Sequence, residues 1–111
     1  NVVAALRYMW DHICDDLSVE QIVKHVGVSR RTLEIGFQRE LGRGINAEFQ
    51  RRRLEKGRDL LLQTDWRVGD IAAFLGYSGL KYFSKAFSSA YGTSPMQYRN
   101  RGQRRSSAKH T

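Results

Sequence analysis

The sequence predicts an all-α fold of about seven helices, with two helix-turn-helix subdomains joined by a long connecting helix. Three observations lead there. Apolar residues recur at helical spacing along most of the chain, glycines stand where those stripes stop, and one two-helix pattern occurs twice. The single proline, Pro95, interrupts none of the stripes.

Val2, Leu6, Met9 and Ile13, with Val3 and Trp10 beside them, follow the i, i+4, i+7, i+11 spacing of one helix face, so the first helix is a packing element. Ser18-Val19-Glu20-Gln21 is a capping-box pattern opening a short helix with Ile22 and Val26 inward. Gly27 then supplies a residue that tolerates a left-handed turn. Ser29 caps the next helix, whose Leu33, Phe37 and Leu41 form an inward stripe before Gly42 ends it.

The same order returns about 49 residues later. Ile71 and Leu75 answer Ile22 and Val26, and Gly76-Tyr77-Ser78 answers Gly27-Val28-Ser29. After one inserted residue, Phe83, Phe87, Tyr91 and Gly92 correspond to Leu33, Phe37, Leu41 and Gly42, with Ala90 also expected inward. Two copies are fewer than the roughly three that a solenoid needs, so a paired arrangement fits. Between the copies, Ile45 to Gln63 reads as a connecting helix of about 19 residues, close to 30 Å long. Ser94-Pro95 starts a last short helix that folds back on the second motif. The expected domains are 1–44, a connector over 45–63, 64–101, and a basic disordered tail over 102–111. From Arg99 onward no periodic apolar residue remains, so the basic block there reads as frayed.

With 111 residues, 41% hydrophobic and 27% charged, the chain is globular and neither collagen-like nor a long disordered polymer. No apolar run approaches the roughly 20 residues of a spanning helix, and residues 1–7 lack signal-peptide order, so no membrane partner is expected and a cytoplasmic location is. The absence of Met at position 1 suggests a piece of a longer protein. Cys14 stands alone and His12, His25 and His110 are scattered, which leaves no disulfide and no zinc-ligand spacing; no metal or cofactor is expected. His12, Cys14 and Asp16 do not share a nucleophile–base face, although His12 and Asp16 could pair, and no Gly-rich phosphate loop occurs. An enzyme is not expected.

The net charge of +8 points to a polyanionic partner, with nucleic acid ahead of an anionic membrane. The charge is uneven. Residues 29–58 hold nine basic and four acidic groups, and residues 93–111 hold five basic groups and no acid, whereas residues 1–28 are net acidic. At about 100° per residue, Arg31, Thr32, Ile35, Gln38 and Arg39 lie opposite the Leu33-Phe37-Leu41 stripe. Arg31 suits guanine O6 and N7, and an outward Ile35 suits a thymine methyl or, equally, packing against a neighbouring helix. In the second copy Lys81, Tyr82, Lys85, Ser88 and Ser89 face outward, with Leu80 and Ser84 at the margin. Ser29 and Ser78 stand at helix starts, as caps or phosphate contacts. Arg30, Thr32, Arg39, Arg52 and Tyr82 complete the candidate phosphate contacts. Arg51-Arg52-Arg53 sweeps about 200° of helix surface, so the three cannot all face one duplex. Tyr8, Trp10, Phe49, Phe74 and Tyr77 mostly occupy stripe positions and are expected in the core rather than stacked on single-stranded bases.

Ile71-Ala72, Gly76-Tyr77, Tyr82-Phe83-Ser84-Lys85-Ala86-Phe87, Tyr91-Gly92-Thr93-Ser94-Pro95 and Tyr98-Arg99 resemble the signature of AraC/XylS-type transcription regulators. With the first copy and the connector Arg53-Leu54-Glu55-Lys56-Gly57-Arg58-Asp59-Leu60-Leu61, the resemblance covers residues 1 to about 101. It implies double-stranded DNA as partner, two recognition helices in adjacent major-groove segments, and base-reading positions at Arg31, Glu34 and Ile35, then Leu80, Lys81, Ser84 and Lys85. It also implies a bacterial, nucleoid-associated regulator, a monomeric isolated domain, and contact with RNA polymerase. Ser29-Arg30-Arg31-Thr32-Leu33-Glu34 and Leu54-Glu55-Lys56 look like the xylose-operon regulators of this family, whose further N-terminal part would bind a sugar effector. Two positions depart from the pattern. Glu34-Ile35 stands where many relatives carry longer polar or basic readers, and Gly57 replaces a usual alanine at a cost of about 1 kcal/mol unless it permits close packing. The rival reading is a basic helical module that docks on an acidic protein; steep salt dependence separates DNA binding from apolar docking.

Overall fold

Helices make up most of the described backbone, and three of them end on a glycine. The computed structural model describes residues 1–15 and 17–110, with side chains as far as Gly102. Seven helices occupy the described residues: α1 (Val2–Asp11), α2 (Val19–Val26), α3 (Arg30–Leu41), α4 (Ile45–Gln63), α5 (Val68–Phe74), α6 (Leu80–Tyr91) and α7 (Pro95–His110). The chain divides into two compact units, Asn1–Arg53 and Leu54–Thr111, each with its own core.

In the first unit the caps form as their residue types dictate. Ser18 Oγ accepts the Gln21 N–H at 3.2 Å while Gln21 Oε1 accepts the Ser18 N–H at 2.8 Å, closing a capping box at the start of α2. Gly27 at φ 82° and Gly42 at φ 71° end α2 and α3 in the left-handed conformation that side chains disfavour. Ser29 Oγ accepts the Thr32 N–H at 3.1 Å and so caps α3. The core gathers Val2, Ala5 and Met9 from α1, Ile13 and Leu17 beyond it, Ile22, Leu33, Phe37, Ile45 and Phe49. Ala5 and Met9 are fully buried on α1 and Leu6 only packs against the core, while Val3 and Trp10 are exposed.

In the second unit the core comprises Leu54, Leu60, Leu61, Val68, Ile71, Ala72, Leu75, Phe83 and Phe87, with Tyr77, Tyr91 and Tyr98 packed against it. Gly57 has the packing reason its position required. A Cβ there would lie 2.9 Å from Phe83 Cε1 and 3.0 Å from Leu75 Cδ1, so α4 approaches α6 closely because residue 57 has no side chain. Ser94 Oγ accepts the Gln97 N–H at 3.2 Å at the start of α7.

Several expectations need correction. Gly79, the inserted residue, is the N-cap of α6, and no side chain caps that helix; Ser78 therefore stands one residue outside the cap. Ala90 is exposed and Tyr91 takes the inward place, because Phe83 and Phe87 already set the stripe in i+4 steps and Tyr91 continues it, while an i+3 residue falls about 60° to the other side. Arg99 is buried, donating from Nε to the Leu61 carbonyl at 3.0 Å and from Nη2 to the Thr64 carbonyl at 3.3 Å, so it anchors α7 to the end of α4 rather than beginning a frayed block. The α7 backbone continues to His110 where a tail from residue 102 was expected; that stretch contains no proline to stop a helix. The side chains of residues 103–110, and Thr111, lie outside the described residues. Trp10 and Phe74 are not core residues: Trp10 is exposed, and exposed Phe74 packs edge-to-face with exposed Trp66, ring centroids 5.3 Å apart. His12 pairs with Asp15, Nδ1 to Oδ2 at 2.8 Å, whereas the expected partner Asp16 lies outside the described residues.

Candidate nucleic-acid interface

Each second helix of the repeat buries two large residues and turns the opposite face to solvent. Leu33 and Phe37 hold α3 in the first core, which leaves Arg31, Thr32, Ile35, Gln38 and Arg39 exposed. Ile35, 48% exposed, is not buried against a neighbouring helix. An open cavity of about 310 Å³ borders this face, lined in part by Thr32, Ile35, Arg39 and Val2. Glu34 is less exposed than these residues. It is half-buried, and its Oε2 lies 3.5 Å from where a Cβ on Gly44 would stand, so its carboxylate leans toward the α3–α4 turn.

The hydroxyls of Ser29 and Thr32 are joined at 2.8 Å, and Arg30 Nη1 meets Glu20 Oε1 at 3.1 Å with both side chains exposed. Neither arrangement blocks a phosphate. An exposed ion pair is worth at most about 1 kcal/mol and exchanges readily for a phosphate oxygen. Arg52 is differently placed, since its Nε bonds Glu48 Oε2.

Phe83 and Phe87 do for α6 what Leu33 and Phe37 do for α3. Lys81, Tyr82 and Lys85 are exposed, Leu80 is an exposed apolar residue at the first position of the helix, and Ser84 is half-buried at the margin. Ser78 is exposed in the turn before them. The structure thus groups Arg31, Thr32, Ile35 and Arg39 on one helix face and Leu80, Lys81, Tyr82 and Lys85 on another, and sets Glu34 and Ser84 aside.

Sequence reasoning missed the centre of charge in the first unit. Glu48 is fully buried, yet three arginines reach it: Arg43 Nη1 to Oε1 at 2.7 Å, Arg51 Nη2 to Oε2 at 3.1 Å, and Arg52 Nε to Oε2. Burial alone raises the Glu48 pKa, but hydrogen bonds from Arg51, Arg43 and Arg52 and the Arg51 charge outweigh it and hold the carboxyl at about 2, against an ordinary 4.5. The available signal was a glutamate followed by arginines at i+3 and i+4 in a helix. Arg53 is buried too, its guanidinium 5.6 Å from the Phe49 ring centroid and its Nη1 on Gln50 Oε1.

Among the described residues no group of three or more His, Cys, Asp or Glu could hold a metal ion, and no helix is long and apolar enough to cross a membrane.

These features have counterparts in known proteins. A family profile described as "Helix-turn-helix domain" matches residues 22–101. The xylose operon regulatory protein of Escherichia coli K12 is 38% identical over 99 residues, which is 89% of this chain and 25% of that protein. The chain therefore spans about a quarter of the length of that relative. The crystal structure of a transcriptional regulator from Chromobacterium violaceum, described as an AraC-type DNA-binding domain-containing protein, superposes with a TM-score of 0.86 at 31% identity, covering 91% of this chain and 90% of that one. The C-terminal domain of AraT, a response regulator from Geobacillus stearothermophilus, gives a TM-score of 0.84 at 36% identity over 89% of this chain and 83% of its own. Matched over nearly all of their length by relatives of this kind, the repeated glycine-turned helix pairs place this chain in the family of AraC-type helix-turn-helix DNA-binding domains.

Proposed function

We propose that this chain is the double-stranded DNA-binding part of a bacterial transcription regulator, in which α3 and α6 enter successive major-groove segments and read bases. One observation carries the reading: the repeat occurs twice, and each time its second helix is held inward by two buried residues while an exposed face bearing cations and one apolar side chain is left outward. That combination matches a major groove, where cations meet guanine acceptors and an apolar group meets the thymine methyl. On α3 the readers are Arg31 and Ile35, with Glu34 at the edge; on α6 they are Leu80, Lys81 and Lys85, with Ser84 at the margin. Ser29, Arg30, Thr32, Arg39, Arg52, Ser78 and Tyr82 are the phosphate contacts. The two helix-turn-helix subdomains lie in 1–44 and 64–101, and the connector over 45–63 gives Ile45 and Phe49 to the first core and Leu54, Leu60 and Leu61 to the second.

Family membership supports the DNA partner, and identity to a xylose operon regulatory protein supports control of a sugar-utilisation operon, with the effector bound by parts of the protein beyond this chain. RNA polymerase is a second partner in this reading, the isolated domain is monomeric, and the bacterial cytoplasm is its location. The test is selection from random duplex DNA at about 0.15 M salt, a concentration at which non-specific phosphate binding is already weakened. Two enriched motifs with centres about one helical turn apart support the reading. A pool that stays random contradicts it.

A further inference from the structure

We propose that Gln38 is a further base-reading residue of α3, one turn beyond Ile35, and that it recognises adenine. The inference rests on the DNA-binding reading and extends it along α3 to a residue which that reading leaves without a role. At about 100° per residue Arg31, Ile35 and Gln38 fall within about 60° of one another, at i, i+4 and i+7, and all three are exposed. A row of this spacing is what a helix lying along a major groove presents to successive base pairs. Thr32 and Arg39 form a second row on the other side of Ile35, and the open cavity beside that row is also lined by Asn1 and Val2 at the start of α1. Gln38 stands on the opposite flank, away from α1.

Its side chain is available for such a contact. Gln21 Oε1 accepts the Ser18 N–H, Gln50 Oε1 accepts from Arg53 Nη1, and Gln97 Oε1 accepts the Ser94 N–H. By contrast, no hydrogen bond joins the Gln38 side chain to another described residue. Glu34, its neighbour at i−4, turns its carboxylate toward Gly44, 3.5 Å from where a Cβ would stand there, and so does not hold the Gln38 amide. A glutamine amide carries an acceptor and donors side by side, which matches the N6 amine and N7 of adenine in a bidentate pair. Because Gln38 is uncharged, its contact with DNA shows in base preference rather than in salt dependence. A rise of about 1.5 Å per residue puts Gln38 about 10 Å from Arg31, which is about three base pairs of duplex. Under the register that aligns Leu33 with Phe83, its counterpart on α6 is Ser88, which is shorter and half-buried, so this reader belongs to α3 alone.

The experiment is selection from random duplex DNA with the 111-residue chain and with its Gln38→Ala, Gln38→Glu and Arg31→Ala variants, followed by sequencing of each bound pool. The parent pool is expected to hold an adenine about three base pairs from the position that Arg31→Ala relaxes. Gln38→Ala should lose at least about five-fold of the preference at that adenine and none elsewhere, with an unchanged slope of log Kd against log salt. Gln38→Glu should move the preference at the same position to cytosine, whose N4 amine donates to a carboxylate. A role in folding alone would instead weaken all sequences together. A parental profile in Gln38→Ala, or equal weakening at every position, overturns the inference while leaving the readers Arg31 and Ile35 in place. A parent pool that stays random overturns the DNA reading and this inference with it.

Discussion

The turn that follows the second helix of the motif is held by charge in the first unit and by aromatic packing in the second. Under the register that aligns Leu33 with Phe83, Glu48 corresponds to Tyr98. Glu48 collects three guanidiniums, whereas the Tyr98 ring packs edge-to-face on Phe87 at 5.3 Å and lies 5.7 Å from Tyr91, which itself is 4.6 Å from Phe87. One backbone solution thus has two side-chain solutions. The ionic one keeps arginines at the surface of the first unit, and the aromatic one commits the same region of the second unit to its core. Nonpolar burial is insensitive to pH, while an ionic hub is not, so the units should respond differently to acid.

The largest expected effect breaks the comparison at that point. A carboxyl held at about 2 instead of 4.5 contributes about 3 kcal/mol at neutral pH. Because the folded-state pKa is the lower one, that contribution is complete above about pH 4.5 and disappears as pH falls toward 2. Glu48→Ala should remove a similar amount at pH 7 and flatten the acid response. Denaturant unfolding followed by Trp10 in a Trp66→Phe background reads the first unit, and Trp66 in a Trp10→Phe background reads the second. Acid should weaken the Trp10 transition first. Tyr91 has the opposite sign: burial, partly offset by the Arg58 charge, raises its pKa, so its contribution is present below about pH 10 and lost as pH climbs past its folded value.

A smaller effect tests the close approach in the second unit. Gly57→Ala improves helix propensity by about 1 kcal/mol but places a methyl 2.9 Å from the Phe83 ring, and overpacking of this kind costs about 1–3 kcal/mol. A net loss of about 1 kcal/mol in the Trp66 transition is expected; a gain would mean that Phe83 yields easily. The smallest effect separates the caps. Ser29→Ala should cost about 1 kcal/mol, whereas Ser78→Ala should change stability by less than about 0.5 kcal/mol, because Gly79 and not Ser78 caps α6.

Periodicity made most of this architecture readable before any coordinates. Val2, Met9, Leu33, Phe37, Phe83 and Phe87 announce their burial by spacing, the connector ends where its composition changes, and Gly27 and Gly42 stand at turns that other residues disfavour. What spacing does not carry is three-dimensional pairing. Arg43 reaches Glu48 across a turn, Arg99 reaches carbonyls 38 and 35 residues earlier in the chain, and both look like solvated charge in one dimension. The misplaced Ser78 cap has a local cause, since one inserted glycine moved the start of α6 by a residue. Of the candidate interface, the outward sets on α3 and α6 follow from helix rotation alone. Rotation puts Leu80 and Ser84 at the margin, whereas Glu34 comes only from family resemblance; Glu34 and Ser84 are both half-buried.

The central claim is that two units of one design read separate parts of one site, and it is tested most directly by base-preference profiles of Arg31→Ala and Lys85→Ala against the parent chain. On a site obtained by selection, each variant should lose about 1–3 kcal/mol of discrimination at a few adjacent base pairs, and the two affected stretches should not overlap. Equal weakening at every position in both variants would contradict the claim and reduce these helices to phosphate contacts.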